Sequence, residues 1–325
     1  MVNLQTQYAG LLLHSPIIIG SSGLTNCAEQ NKAFEKAGAG AIVLKSLFEE
    51  QIEMQGDSLL QKEDHPEASD FIRGYVKANQ VDTYLQLIKD SKRLCSIPII
   101  ASINCYKADS WIEWATRLQE AGADAIELNL LLLETDIHGN GYETEKRYIN
   151  ILQKIKQVVT IPIAVKLSKY TSNLPALVNK LKAHGAAGVV LFNRMYQPDI
   201  DINKMQIVSG QVFSNHADLS DTIRWTAITS GLVTGIDITS STGVHDWESV
   251  IKCLLAGASS IQMCSAIYTH GTEIISQIIT CIEEWMQQAG YDSLSQFIGK
   301  LNYANITDPT LYERCQFMKY LSNRD

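Results

Sequence analysis

The 325-residue chain lacks the features that mark several classes of protein. No apolar run approaches the roughly 20 residues that span a bilayer, and we expect no signal peptide, because the first residues are neither basic nor uninterruptedly apolar. The formal net charge of −8 excludes an extended basic surface for nucleic acid or membrane. The seven cysteines are scattered and form no CxxC pair, which predicts reduced thiols in a cytoplasmic protein without a disulfide framework or a metal site.

One short phrase recurs four times along the chain. Each copy begins with the end of an amphipathic helix, turns on a glycine and continues into a strand that is apolar at nearly every position. Glycine suits the left-handed residue that closes a helix, and a strand without polar alternation is typical of a parallel sheet covered by helices on both faces. The copies are AGAGAIVLKS from Ala37, AGADAIELNL from Ala121, HGAAGVVLFN from His184 and AGASSIQMCS from Ala256.

The number of strands favours a closed barrel. Eight strands separated by helical periodicity predict a single α/β domain over residues 1–325, a (β/α)8 TIM barrel. A doubly wound sheet is the alternative, but it needs a point where the strand order reverses, and nothing in the sequence marks one. The predicted strands are Ile17–Gly20, Ala41–Lys45, Ile97–Asn104, Ala125–Leu130, Ile161–Leu167, Gly188–Asn193, Gly235–Thr239 and Ser260–Cys264.

Two segments exceed a minimal barrel. Phe48 to Val76 is acidic and poor in apolar periodicity, which predicts a long loop after the second strand, either a lid or substrate wall on the catalytic face or a mobile solvated loop. Tyr291 to Tyr303 predicts an extra C-terminal helix.

Polar residues end the buried strands, where a β/α barrel places its active site. Lys45 and Lys166 are the most unusual of them, because a lysine in an apolar strand is costly unless it faces an anion or an electron-rich ring. They are interpreted in three ways: as a Schiff-base lysine of an aldolase, as a pair of cations beside a flavin, or as partners of a carboxylate such as Glu127. Asn129, Asn193 and Ser265 end three of the recurring phrases.

The order of motifs resembles the dihydroorotate dehydrogenase family, most closely its class 1 enzymes and dihydroorotate dehydrogenase-like proteins. The resemblance covers nearly the whole chain and implies an FMN-dependent oxidoreductase that converts dihydroorotate to orotate in pyrimidine biosynthesis. The motifs are IIIGSSGL (17–24), VLKS (43–46), SIN (102–104), ELNL (127–130), VKLS (165–168), FNRMYQPDIDI (192–202), ITSSTGV (238–244) and AGASSIQMCSAI (256–267).

The resemblance also implies roles for individual residues. Lys45, Lys166, Asn129 and Asn193 are the implied catalytic residues, with the lysines against the isoalloxazine and Asn193 on the substrate side. The flavin phosphate is expected after strands seven and eight, at amides preceding a helix that begins at Asp246. The implied cofactor-binding residues are Ser21, Ser22, Gly23, Lys45, Asn104, Asn129, Lys166, Thr242, Gly243, Val244, Cys264 and Ser265.

Departures from the family pattern concern the substrate side. Leu132 stands where class 1 enzymes carry a hydroxyl or thiol base, and it cannot take a proton. The substitute bases considered are Cys105, Glu134 and His138, set against an inert thiol, a solvated charge and an ordinary loop histidine. Ser214 replaces an expected glycine.

Arg194 is a further candidate, either as a ligand of a substrate carboxylate or flavin phosphate or as a cap of the acidic turn that follows it. A small-molecule substrate is expected, with no nucleic acid or membrane partner and a homodimer left open. The alternative functions are an FMN-binding protein with another substrate or no catalysis, and a lysine aldolase. The chain has no NAD fingerprint or iron–sulfur cysteine cluster, so a separate electron-transfer subunit stays open.

Overall fold

The computed structural model describes residues 2–52, 54, 69–104, 108–131, 133 and 135–315. Thirteen strands and ten α-helices are used below to locate the site. The strands are β1 (Thr6–Tyr8), β2 (Leu11–Leu13), β3 (Ile17–Ile19), β4 (Ala41–Val43), β5 (Leu47–Phe48), β6 (Ile99–Asn104), β7 (Ala125–Asn129), β8 (Ile163–Leu167), β9 (Gly188–Leu191), β10 (Pro198–Asp201), β11 (Gln206–Ser209), β12 (Asp237–Ser241) and β13 (Ser260–Met263).

The helices alternate with the parallel strands. They are α1 (Ala28–Lys36), α2 (Ser69–Leu94), α3 (Ala108–Glu120), α4 (Gly141–Lys156), α5 (Leu174–Ala183), α6 (Leu219–Leu232), α7 (Trp247–Ala256), α8 (Ser265–His270), α9 (Glu273–Ala289) and α10 (Thr310–Glu313).

Eight parallel strands close into a barrel. Their order around the ring is β3, β4, β6, β7, β8, β9, β12 and β13, and β13 pairs again with β3. The pairing of β4 with β6, where Ile42 lies beside Ile99, closes the ring. The predicted (β/α)8 barrel is therefore confirmed, and the doubly wound sheet is wrong. Strand β5 extends the sheet beside the carboxyl end of β6, with Leu47 beside Ile103.

The glycine of each recurring phrase closes a helix as predicted. Gly257 caps α7 in the left-handed region at φ +108, and a Cβ there would lie 2.2 Å from Ser230 Oγ. The equivalent residues Gly38, Gly122 and Gly185 also have positive φ. Because the chain must reverse within two residues to enter the next buried strand, glycine is required there.

An N-terminal hairpin that the sequence analysis did not predict closes one end of the barrel. Strands β1 and β2 pair antiparallel, and the side chains of Tyr8 and Leu13 are buried among inward-facing barrel residues such as Ile18 and Val43. Gly188 permits the contact, because a Cβ there would lie 3.3 Å from Ala9. The hairpin thus covers the amino ends of the strands, and the opposite end stays available for a site.

A second unpredicted hairpin follows β9. Strands β10 and β11 pair only with each other, and Ile200 lies opposite Ile207. Both isoleucines are exposed, at 67% and 74%.

Two predictions for the additional segments need correction. The predicted helix from Tyr291 to Tyr303 is wrong: only a 3₁₀ turn forms, at Leu294–Gln296, because Leu294 and Phe297 turn inward to full burial and Gly299 reverses the backbone at φ +74. The predicted loop from Phe48 to Val76 is wrong at both ends, since Phe48 ends β5 and α2 begins at Ser69. Residues 53 and 55–68 lie outside the described residues.

Candidate active site

A cavity of about 220 Å³ lies at the carboxyl ends of the barrel strands. It brings together residues from the loops after β3, β9, β12 and β13 with the inward side chain of β8, although they are far apart in sequence. The predicted site residues that line it are Ser21, Ser22, Lys166, Asn193, Thr242, Gly243, Val244, Cys264 and Ser265. Gly23 is not among the lining residues, but it lies beside one of them, because a Cβ there would lie 2.8 Å from the Tyr268 hydroxyl.

Lys166 is buried in β8 and already has partners in the protein. Its ammonium donates a 2.8 Å hydrogen bond to Gln262 Oε1 and lies 3.8 Å from Glu127 Oε1. The alternative in which the lysine pairs with Glu127 is therefore confirmed for Lys166. Lys166 also lines the cavity, and an ammonium has three donors, so these partners leave it able to donate to a ligand.

Glu127 is fully buried inside the barrel and is bound from two sides. Its Oε2 accepts a 2.8 Å hydrogen bond from the Tyr8 hydroxyl and another from Gln262 Nε2. Burial, and then the charge of Glu127, raises the pKa of Tyr8 well above its ordinary value, so the phenol stays protonated and continues to donate. Oε1 has no hydrogen-bond partner among the described atoms.

Lys45 differs from Lys166 and corrects the prediction of two buried lysines. Strand β4 ends at Val43, so Lys45 follows the strand at the mouth of the barrel, where its side chain is exposed. It forms no hydrogen bond or ion pair with any other residue in the described part of the chain. Lys45 is consequently an exposed cation at the rim, whereas Lys166 is buried and held by partners inside the barrel.

A chain of hydroxyls lies beside Lys45 and was missed by the sequence analysis. Ser46 Oγ lies 3.0 Å from Ser21 Oγ and 2.7 Å from Ser102 Oγ. The backbone of Ser102 in turn donates to the buried Tyr84 hydroxyl at 2.9 Å. These groups satisfy one another between the ends of β3, β4 and β6, and Asn104 ends β6 next to them, half-buried.

Asn129 and Asn193 meet at the mouth. The amide of Asn193 donates a 2.6 Å hydrogen bond to Asn129 Oδ1, although β7 and β9 are separated by β8. This contact commits one group of each amide and leaves Asn129 Nδ2 and Asn193 Oδ1 for a ligand.

The turn after β12 keeps a glycine-like backbone without a glycine pair. Thr242 and Gly243 have φ of +80 and +86, and a Cβ on Gly243 would lie 2.3 Å from the backbone nitrogen of Leu219. Hydrogen bonds of 2.9 Å hold Thr242 in place, from its own hydroxyl to Phe192 O and from the Thr222 hydroxyl to Thr242 O. Such strained turns are typical of ligand cradles.

The unpaired backbone amides of this turn indicate a binding site for an anion. Within the described residues, the backbone N–H groups of Gly243 and Val244 donate to no acceptor, and both residues are buried against the cavity. Helix α7 begins at Trp247 after this turn, and the carboxylate of its N-cap, Asp246, accepts the Ser249 N–H at 2.7 Å. A phosphate at the preceding amides stays a prediction.

A serine–histidine pair lies next to the turn. Ser214 Oγ lies 3.1 Å from His245 Nε2, and the Ser214 N–H donates to Ser265 Oγ at 3.0 Å. Burial, followed by the nearby His216, lowers the pKa of His245. This pair was not predicted, because Ser214 was noted only where a glycine was expected. The sequence signal is a histidine in each of two segments, SNH at 214–216 and VHD at 244–246.

Cys264 and Arg194 are engaged by the protein itself. The Cys264 thiol donates to Gly20 O at 3.2 Å, and burial raises its pKa, so it is a neutral wall residue. Arg194 pairs with Asp218 at 2.8 Å and donates to Gln211 O at 3.0 Å. Its guanidinium thus fastens the segment that carries Ser214. Arg194 also lines the cavity, and its role as a ligand stays a prediction.

These residues fit FMN, the cofactor that the sequence resemblance implies. Hydroxyls of Ser21, Ser22 and Ser265 and the two unpaired turn amides are suitable donors for a phosphate. The ammonium of Lys166 is a suitable donor for the electron-rich edge of an isoalloxazine ring.

The candidate bases stay predictions. Cys105 and Glu134 lie outside the described residues, as does Leu132 at the position of the missing base. His138 is exposed in the loop between β7 and α4. The described residues contain no cluster of His, Cys, Asp and Glu that fits a metal ion, and none of the described helices is long and apolar enough to cross a membrane.

Known proteins resemble the chain over most of its length. The family model for dihydroorotate dehydrogenase matches residues 3–286. The catalytic subunit of dihydroorotate dehydrogenase B (NAD(+)) from Methanosarcina acetivorans is 26% identical, over 89% of this chain and 93% of that protein. The corresponding subunit from Thermoplasma acidophilum is 26% identical, over 92% and 99%. The NAD-dependent dihydropyrimidine dehydrogenase subunit PreA from Escherichia coli K12 is 25% identical, over 92% and 77%.

Proposed function

The chain belongs to the dihydroorotate dehydrogenase family of oxidoreductases, and we propose that it binds FMN and acts on a dihydropyrimidine ring, with dihydroorotate as the first substrate to test. The observation that carries the proposal is the pair of unpaired N–H groups at Gly243 and Val244, within one cavity with Lys166. An anion cradle and a buried cation that line one cavity suit a ligand with a phosphate and an electron-rich ring.

Different residues of the site would have different roles in the proposed reaction. When bound, FMN supplies the acceptor for the hydride that leaves the substrate ring. Lys166 donates into the cavity from a position fixed by Gln262, at 2.8 Å. The free groups of the Asn129–Asn193 pair orient a ring amide or carbonyl. The proton that leaves the neighbouring ring carbon needs a base, and Leu132 supplies none, so the role passes to water or to another side chain.

A second candidate function has its own support. One relative is named a dihydropyrimidine dehydrogenase subunit, and a site with Leu132 at the position of the class 1 base is suited to reducing an activated double bond with water as the proton donor. A non-catalytic FMN-binding partner is the remaining alternative. An aldolase is disfavoured, because an ammonium held in an ion pair with Glu127 is not a nucleophile.

Purification of the protein tests the cofactor first. We expect a yellow protein that releases FMN on denaturation and binds FMN more tightly than riboflavin, which lacks the phosphate. Gly243→Ala places a Cβ against Leu219 and should weaken FMN binding while leaving riboflavin binding nearly unchanged. Gly141→Ala is the matched control, since a Cβ there meets nothing within 4 Å. A colourless protein that FMN does not reconstitute contradicts the proposal.

Turnover assays then decide the reaction. Oxidation of dihydroorotate with fumarate, NAD or a dye supports the first candidate, whereas reduction of uracil-type rings without dihydroorotate oxidation supports the second. FMN that dihydroorotate does not reduce and that, once reduced chemically, uracil-type rings do not reoxidise supports the non-catalytic alternative.

We also propose that residues 1–325 form one domain that assembles as a homodimer. The support is the β10–β11 hairpin, whose exposed Ile200 and Ile207 face solvent on the same side of a two-stranded ribbon and are stabilised when covered. Sedimentation velocity should give a dimer for the wild type and a monomer for Ile200→Lys combined with Ile207→Lys. A wild-type monomer at micromolar concentration contradicts this assembly.

A further inference from the structure

A continuous set of hydrogen bonds runs from the closed end of the barrel to the cavity. It begins at Tyr8 in the N-terminal hairpin, passes through Glu127 and Gln262, and ends at Lys166. All four residues are buried. Lys166 and Gln262 line the cavity, whereas Tyr8 and Glu127 lie deeper in the barrel and do not line it.

The chemistry of the set fixes the orientation of the Gln262 amide. An ionised carboxylate only accepts hydrogen bonds, so Gln262 must turn its NH₂ group to Glu127. An ammonium only donates, so Lys166 must face the amide oxygen. Both demands are met by the same orientation, and the opposite orientation would place two donors and two acceptors against each other.

The two partners of Lys166 act on it in different directions. Gln262 Oε1 draws the ammonium at 2.8 Å, whereas Glu127 Oε1 lies 3.8 Å away, has no hydrogen-bond partner among the described atoms and attracts the same ammonium toward the barrel interior. Gln262 therefore keeps Lys166 from collapsing onto Glu127, and Glu127 reduces the positive charge that a ligand experiences.

We propose that Gln262 and Glu127 are positioning residues that set how strongly Lys166 favours the electron-rich form of a bound ring. The inference rests on the proposed function for the identity of that ring as FMN. Gln262 fixes the place of the ammonium at the cavity, and Glu127 fixes the orientation of Gln262 and partly neutralises the lysine.

The proposal requires that substitutions of Gln262 and Glu127, which are hydrogen-bonded to each other, shift the preference for reduced FMN in opposite directions. Gln262→Leu removes the acceptor, so Lys166 moves toward Glu127 and the preference for reduced FMN falls. Glu127→Gln keeps the shape of the side chain but removes the countercharge, so that preference rises. Tyr8→Phe removes one hydrogen bond from the same carboxylate without touching Lys166, and is the matched control.

The measurement is the reduction potential of bound FMN in the four proteins. The ratio of the affinities for reduced and oxidised FMN should fall about tenfold in Gln262→Leu and rise about tenfold in Glu127→Gln, about 30 mV each for a two-electron couple. Tyr8→Phe should change it less than about twofold while lowering the thermal midpoint. Shifts of one sign in both variants, or an equal shift in Tyr8→Phe, would show distortion of the barrel and overturn the proposal. If Glu127→Gln does not fold, the reduction potentials of Gln262→Leu and Tyr8→Phe still test the proposal, because only Gln262→Leu should lower the potential.

A second measurement needs no cofactor. In FMN-free protein, urea midpoints of Gln262→Leu, Lys166→Met and the double variant should be non-additive, since the two side chains are in contact. Asn31→Ala, which removes a hydrogen bond to Ser91 between α1 and α2 outside the barrel, should be additive with Lys166→Met. Additive midpoints for Gln262 and Lys166 overturn the positioning contact whether or not FMN binds. Coupling without FMN binding keeps the contact and rejects the proposed function.

Discussion

The hydroxyl of Thr242 donates a 2.9 Å hydrogen bond to the backbone carbonyl of Phe192, and so ties the turn after β12 to the end of β9. The residue adopts φ +80, a region that costs a β-branched side chain about 1–2 kcal/mol. This hydrogen bond offsets part of that cost. It explains how a turn without the expected glycine pair keeps the left-handed backbone that leaves its amides unpaired.

This geometry predicts an unusual order of stability for two substitutions. Thr242→Ala loses the hydrogen bond but keeps the strained Cβ, whereas Thr242→Gly loses the hydrogen bond and relieves the strain. The glycine variant should therefore be about 1 kcal/mol more stable than the alanine variant. Urea unfolding measures the difference. Ser240→Gly and Ser240→Ala, within β12, provide the control pair, for which alanine should be the more stable; the same order at Thr242 would contradict the left-handed backbone.

The buried pair of Lys166 and Glu127 predicts a large effect on stability. Lys166→Met leaves the Glu127 carboxylate charged and without its cation inside the barrel, which typically costs about 3–5 kcal/mol. Adding Glu127→Gln removes that charge, so the double variant should be more stable than Lys166→Met alone. Calorimetric or urea unfolding checks this order. A double variant less stable than the single one would show that the two side chains do not compensate each other.

The lowered pKa of His245 predicts how the free energy of unfolding changes with pH. Burial, and then His216, lowers the pKa of His245 in the folded protein, so the unfolded chain binds a proton first as the pH falls. The resulting stability is complete above the ordinary histidine pKa of about 6.5 and is lost as the pH falls from there through the lowered pKa. In His245→Gln, which keeps a polar group near Ser214, unfolding free energy should fall less between pH 7 and pH 5 than in the wild type. Parallel curves for the two proteins would contradict it.

Substitution of Arg194 should loosen one segment of the chain without changing the stability of the whole fold. Its guanidinium holds Asp218 and the backbone of Gln211, and a lysine cannot reach both. Arg194→Lys should leave the unfolding midpoint nearly unchanged but increase cleavage by a protease between residues 205 and 215. Lys204→Arg, within the exposed hairpin turn, is the control. Equal cleavage of wild type and Arg194→Lys would show that the segment is held by other contacts.

The recurring phrases explain why the barrel could be predicted. Glycine turns such as Gly257 and the uninterrupted apolar strands are local patterns, and local patterns can be recognised from the sequence alone. The Tyr8–Glu127–Gln262–Lys166 set is not local, because Tyr8 and Glu127 are 119 positions apart. Gln262 was nevertheless visible as a polar residue in a buried strand, and only the register of the closed barrel shows that it faces Glu127.

Other predictions failed where tertiary packing overrode a local pattern. The segment after α9 has helical spacing, yet Leu294 and Phe297 are drawn into the core, and Gly299 ends any helix there. Lys45 was predicted to be buried because apolar residues precede it, but its strand stops at Val43. The end of a strand depends on its neighbours, which the sequence alone does not show.

The last prediction concerns the base. Leu132 occupies the position where the resemblance places a hydroxyl or thiol, so the wild type should oxidise dihydroorotate slowly even when loaded with FMN. A positioned base contributes about 10²–10⁴-fold in rate. Leu132→Cys should therefore raise dihydroorotate oxidation, with a rate that increases with pH as the thiol ionises, and Leu132→Ala is the control that changes volume without adding a base. Rapid wild-type turnover at neutral pH would contradict the prediction and direct the search for a base to Cys105, Glu134 and His138.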